Sequence, residues 1–88
     1  MFTSVRLQAV AIAVPPRVQP MIVKAALKAG VAVLAEKPLA CELDLARELL
    51  DCARASGVPH AVDFMFPELV TWQRARAILE EGAIGTVR

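Results

Sequence analysis

Three short apolar runs, each followed by a stretch with helical periodicity, constrain this chain more than any other feature. The runs are Ala9–Val14, Val31–Leu34 and His60–Phe64. Runs this short and this continuous in apolar, often β-branched residues read as strands of a parallel sheet, buried on both faces. Gln19 to Gly30 carries Ile22, Val23, Ala26, Leu27 and Ala29 on one helical side, with Lys24 and Lys28 a turn apart on the wet side. From Leu43 to Ser56 the stripe is Leu43, Ala46, Leu49, Leu50 and Ala53, opposite Asp44, Arg47, Glu48, Asp51 and Arg54. Pro15-Pro16 ends the first run because proline cannot donate to a ladder, and Pro20 is tolerated in a first helical turn. Gly30 and Gly57 stand where helices close in the left-handed region. After the third run, Pro67 introduces a helix over Glu68–Glu81 with Leu69, Trp72, Ala75, Ile78 and Leu79 as its stripe, which makes Trp72 a core residue. Thr86-Val87-Arg88 reads as the start of another strand. The order β-α-β-α-β-α with short loops predicts an α/β fold with a parallel, right-handed, doubly wound sheet.

Composition narrows the function classes. Ten basic and nine acidic residues are well mixed, which gives no electrostatic footprint for nucleic acid or an anionic membrane. Although 57% of residues are hydrophobic, no run approaches the length needed to span a bilayer. The start, Met1-Phe2-Thr3-Ser4-Val5-Arg6, lacks the apolar core of a signal peptide, so a cytoplasmic location is expected. Cys41 and Cys52 make neither a CxxC pair nor a metal-ligand set. Eleven residues of helix separate them by about 16 Å, so both are read as free thiols, with Cys52 packing its helix.

The chemistry-bearing feature is Ala35-Glu36-Lys37-Pro38-Leu39-Ala40, at the end of the second run. Open α/β sheets bind ligands outside the carboxyl ends of their strands, so a Glu-Lys pair there is placed for chemistry. A solvated ion pair in a loop fits the same three residues. Asp63 stands at the corresponding end of the third run, as a ligand contact or as a turn residue. His60 is at the wrong end of its strand for the same site.

Three stretches in register, Val10–Pro16, Ala25–Ala40 and Glu81–Gly85, resemble the Gfo/Idh/MocA family of NAD(P)-dependent oxidoreductases. The resemblance runs from Ala9 to Val87 and corresponds to the second half of the family's Rossmann domain. It implies NAD or NADP as cofactor and a sugar, cyclitol or similar polyol as substrate. It places Pro15, Pro16 and Arg17 along the dinucleotide and Glu36 at the nicotinamide ribose hydroxyls, where a carboxylate accepts two hydrogen bonds. It gives Lys37 the catalytic role, orienting the substrate hydroxyl and stabilising developing negative charge. It also implies a cis peptide bond before Pro38. It also counts Gln19, Lys37, Pro38 and Asp63 among the cofactor-binding residues; Gln19 occupies a position where the family often has histidine, and glutamine still hydrogen-bonds there, without histidine's charge. Around Asp63 the family commonly carries an arginine, which Val62–Glu68 lacks, so Asp63 or Phe64 takes that place.

No GxGxxG turn occurs; the glycines are Gly30, Gly57, Gly82 and Gly85. The expected reading is therefore residues 1–88 as a partial NAD(P)-binding Rossmann domain, its C-terminal half, without the glycine-rich turn or the substrate domain. Such a half-sheet exposes an edge strand and apolar helix faces, and self-association through them is expected. An inactive remnant and a non-catalytic α/β binding module are the alternative readings.

Overall fold

A computed structural model of the chain describes residues 6–87. Three strands, β1 (Ala9–Ile12), β2 (Ala32–Glu36) and β3 (His60–Asp63), form one sheet in the order β1-β2-β3. Both pairings are parallel, with Val10 and His60 flanking Val33, and Ile12 and Val62 flanking Ala35. Helix α1 (Gln19–Lys28) links β1 to β2, and α2 (Leu43–Ser56) links β2 to β3. The expected parallel α/β fold is what the chain adopts.

Adding strands in one direction through right-handed crossovers puts successive helices on the same face. Accordingly Val23, Ala26 and Leu27 of α1 and Leu49 and Ala53 of α2 share one core with Ile12, Val31, Val33 and Ala35. The opposite face, where Ala11, Leu34 and Ala61 stand in one row, carries no helix among the described residues, and Leu34 is 46% exposed. A salt bridge from Lys24 to Glu48 ties α1 to α2, and its hydrogen bond holds the Glu48 carboxyl below the usual carboxylate range. Both partners are substantially exposed, so the pair adds little stability beside the apolar core.

Several boundaries differ from expectation, two of them for local reasons. Val31 leaves the strand because its N–H closes α1 onto the Ala26 carbonyl at 3.1 Å, while Gly30 N–H reaches Leu27 O at 3.1 Å. These two bonds, with Gly30 at φ +71°, form a Schellman motif. At the other end β2 extends to Glu36, which pairs with Asp63. β1 stops at Ile12, two residues before Val14, as the chain turns toward Pro15. Within α2, Leu43 and Leu50 of the expected stripe are 66% and 45% exposed, and the buried positions are Leu49 and Ala53.

The largest correction concerns the third helix. A 3₁₀ turn at Phe66–Glu68 precedes α3 (Val70–Glu80), separated from it by the extended Leu69. No residue of α3 is buried, and Trp72 is 54% exposed, so it is not core among the described residues. Its contact is a tilted stack on Phe66, ring centroids 5.2 Å apart. The radius of gyration, 16.9 Å, exceeds the roughly 12 Å of a compact domain this size, because α3 projects from the sheet. Thr86 and Val87 form no strand, and Arg88 lies outside the described residues. Cys41 is exposed and Cys52 half-buried, both as free thiols. No helix is long and apolar enough to cross a membrane among the described residues.

Candidate functional site

Because all three strands run parallel, their carboxyl ends line one edge of the sheet, and the loops after them meet there. Glu36 and Asp63 are register partners on neighbouring strands, so their side chains leave the same face. Both are half-buried. When ionised, each offers only hydrogen-bond acceptors, a pairing suited to the hydroxyls of a ligand. Lys37 follows directly, exposed, and donates its backbone N–H to Glu36 Oε2 at 3.0 Å. The Lys37–Pro38 peptide is cis, as the resemblance implied.

Two anchors fix this turn to the body of the fold. Leu39 packs against the apolar core from the downstream side. From below, Gln19 Nε2 donates to the carbonyl of Glu36 and, at 3.1 Å, to that of Pro38. Gln19 reaches this position because the Pro15 carbonyl accepts from the N–H groups of Val18 and Gln19, at 2.9 and 3.1 Å, starting α1 directly beneath the β2 turn. The side chain is 1% exposed, and its Oε1 is buried without a partner among the described residues.

The structure thus gathers Glu36, Lys37, Pro38, Gln19 and Asp63 around one turn, with Gln19 on its buried underside. Pro15, Pro16 and Arg17 form the loop after β1 on the same edge, and Pro16 and Arg17 line a shallow cleft with Cys41, Glu42 and Leu45. His60 lies at the opposite edge, exposed, its Nδ1 2.8 Å from the Val58 carbonyl. An apolar cavity between the helices and the sheet, bordered by Val23, Leu27, Val33, Leu39 and Leu49, is a gap in the core. Sequence reasoning missed Leu39 as an anchor; an apolar residue immediately after Lys-Pro was the available signal. No cluster of His, Cys, Asp or Glu among the described residues could hold a metal ion.

Two acceptors and one cation suit the hydroxyl-bearing end of a dinucleotide. Acceptor carboxylates at Glu36 and Asp63 beside the Lys37 cation suit a ribose diol and a reacting oxygen. Among the described residues nothing comparable faces a pyrophosphate, which needs backbone amides in a glycine-rich turn. Gly30 and Gly57, at φ +71° and +66°, close helices at the opposite edge of the sheet.

The model of an oxidoreductase family with an NAD-binding Rossmann fold, Gfo/Idh/MocA, matches residues 1–64. Among curated proteins, dTDP-3,4-didehydro-2,6-dideoxy-alpha-D-glucose 3-reductase of Streptomyces violaceoruber is 41% identical over 63 residues, 72% of this chain and 18% of that protein. Among solved structures, the 3-ketoreductase KijD10 of Actinomadura kijaniata, in complex with TDP-benzene and NADP, superposes with a TM-score of 0.83 at 34% identity. That match covers 92% of this chain and 26% of the other. An inositol dehydrogenase homolog of Azotobacter vinelandii, complexed with NAD+, gives 0.80 at 34% identity, over 92% of this chain and 21% of that one. The chain spans about a fifth of the length of the curated relatives it matches.

Proposed function

Since this chain belongs to the Gfo/Idh/MocA family of NAD-binding oxidoreductases, we propose that it carries the nicotinamide end of the cofactor site of a dehydrogenase or ketoreductase acting on a sugar, cyclitol or similar polyol. A bound NAD or NADP supplies the hydride acceptor or donor. Supporting the reading most directly is the turn at Glu36–Pro38: an acceptor carboxylate and an exposed cation at the carboxyl end of a central parallel strand, anchored from below. The Glu36 carboxylate accepts hydrogen bonds from the ribose hydroxyls. The Lys37 ammonium donates to the substrate oxygen, where it stabilises the negative charge left as the hydroxyl proton passes to solvent. Asp63, register partner of Glu36, adds a second acceptor to the same face. Pro15, Pro16 and Arg17 border the dinucleotide along the neighbouring loop. Relatives seen with NADP and TDP-benzene, or with NADH and myo-inositol, support this class of cofactor and substrate.

Glu36→Ala tests the cofactor half. Titration of the full-length protein with NADH and NADPH, followed by nicotinamide fluorescence, is expected to show affinity about tenfold weaker or worse in the variant. That corresponds to losing hydrogen bonds to a charged acceptor, about 1.5–3 kcal/mol. Equal affinity in the variant would remove Glu36 from the site.

A further inference from the structure

We propose that Gln19 is a positioning residue for Lys37, acting through the two carbonyls that flank it; the inference rests on the reading of Lys37 given above. The carboxamide of Gln19 has two N–H donors on one nitrogen, and the two carbonyls they face belong to Glu36 and Pro38, the residues on either side of Lys37. One side chain therefore fixes the backbone immediately before and immediately after the lysine. Lys37 is exposed, and its ammonium makes no hydrogen bond or salt bridge among the described residues. The origin of the lysine side chain, set by the turn, is what aims it.

Gln19 is poorly explained as a stability device. It is 1% exposed, and with Leu49 it is one of the two largest fully buried side chains. Its Oε1 is buried without a partner among the described residues, an arrangement that costs stability. An apolar side chain would fill the same space without that orphan acceptor. What such a side chain cannot do is hold two carbonyls 17 and 19 residues away in sequence. Lys37 adds the long flexible side chain whose reach then depends on a fixed base. A displacement of about 1 Å in a catalytic group lowers rate by roughly 10²-fold.

The test compares Gln19→Met, nearly isosteric and without donors, with Gln19→Glu, which has a donor only when protonated. The full-length protein is assayed with the best-used member of a polyol and ketosugar panel that includes myo-inositol with NAD+ and a TDP-linked ketosugar with NADPH. For Gln19→Met, kcat is expected to fall about 10²-fold, with KM and NAD(P)H affinity within about twofold of wild type. For Gln19→Glu, kcat is expected to recover partly toward acid pH, as the protonated carboxyl regains one hydrogen bond to a flanking carbonyl. That limb is absent from the wild-type profile. Wild-type kcat in Gln19→Met overturns the proposal, and so does a loss shared equally by kcat, cofactor affinity and thermal stability. If Gln19→Glu does not fold, the kcat-against-KM split in Gln19→Met decides alone. Lys37→Ala separates the two ideas: full turnover there overturns the reading of Lys37 and this proposal with it. Impaired Lys37→Ala beside unimpaired Gln19→Met overturns this proposal only.

Discussion

Replacing Lys37 by alanine is expected to lower hydride-transfer turnover of the full-length protein by about 10²- to 10³-fold, the usual effect of removing one donor aimed at developing negative charge. The mutation deletes the ammonium and leaves the turn that carries it. Glu36 and Pro38 keep their bonds to Gln19, and Leu39 keeps its place against the core. Because Lys37 is exposed, the urea midpoint should stay within error of wild type, so lost activity cannot be ascribed to unfolding. Affinity for NAD(P)H should change much less than kcat. Steady-state kinetics beside equilibrium unfolding checks both statements. A turnover within twofold of wild type would return the Glu-Lys pair to a solvated role in a loop.

Leu49→Ala is expected to have the largest effect on stability, about 2–5 kcal/mol, through lost burial and the cavity left behind. Leu49 is 2% exposed and joins α2 to the residues of α1 and β2 in one core. On the same helix, Leu50 is 45% exposed and supplies the control, with Leu50→Ala expected to cost less than about half as much. The difference carries to the site, because Leu39 leans on the core that Leu49 completes. Urea titration of both variants by circular dichroism reads the contrast. Equal midpoints would mean that α2 packs through a different face.

The sheet and its crossovers were legible because each depends on local signals. Apolar runs marked the strands, and Gly30 and Gly57 marked the helix ends, where both adopt positive φ. Two strand ends were shifted by local closures at Gly30 and Pro15, but the other misses depended on partners distant in sequence. The pairing of Glu36 with Asp63 lengthens β2, and nothing near Glu36 announces it. The stripe of α3 gave the periodicity of a helix but not what lies against it, and Trp72 is largely exposed. The candidate site divides along the same line. Glu36 and Lys37 were visible as charged residues closing an apolar strand. Gln19 could be placed near the site, yet its grip on the turn spans 17 and 19 residues and became visible only in three dimensions.

Amide hydrogen exchange of the full-length protein, with and without saturating NADH or NADPH, tests the central claim most directly. The claim is that the carboxyl edge of this sheet, and its Glu36–Pro38 turn in particular, holds the nicotinamide end of the cofactor. Cofactor should therefore slow exchange in peptides covering residues 13–19 and 36–41. Peptides covering 28–31 and 56–60, at the opposite edge, should be unchanged. Protection confined to that opposite edge, or absent from 36–41 at saturation, would contradict the account.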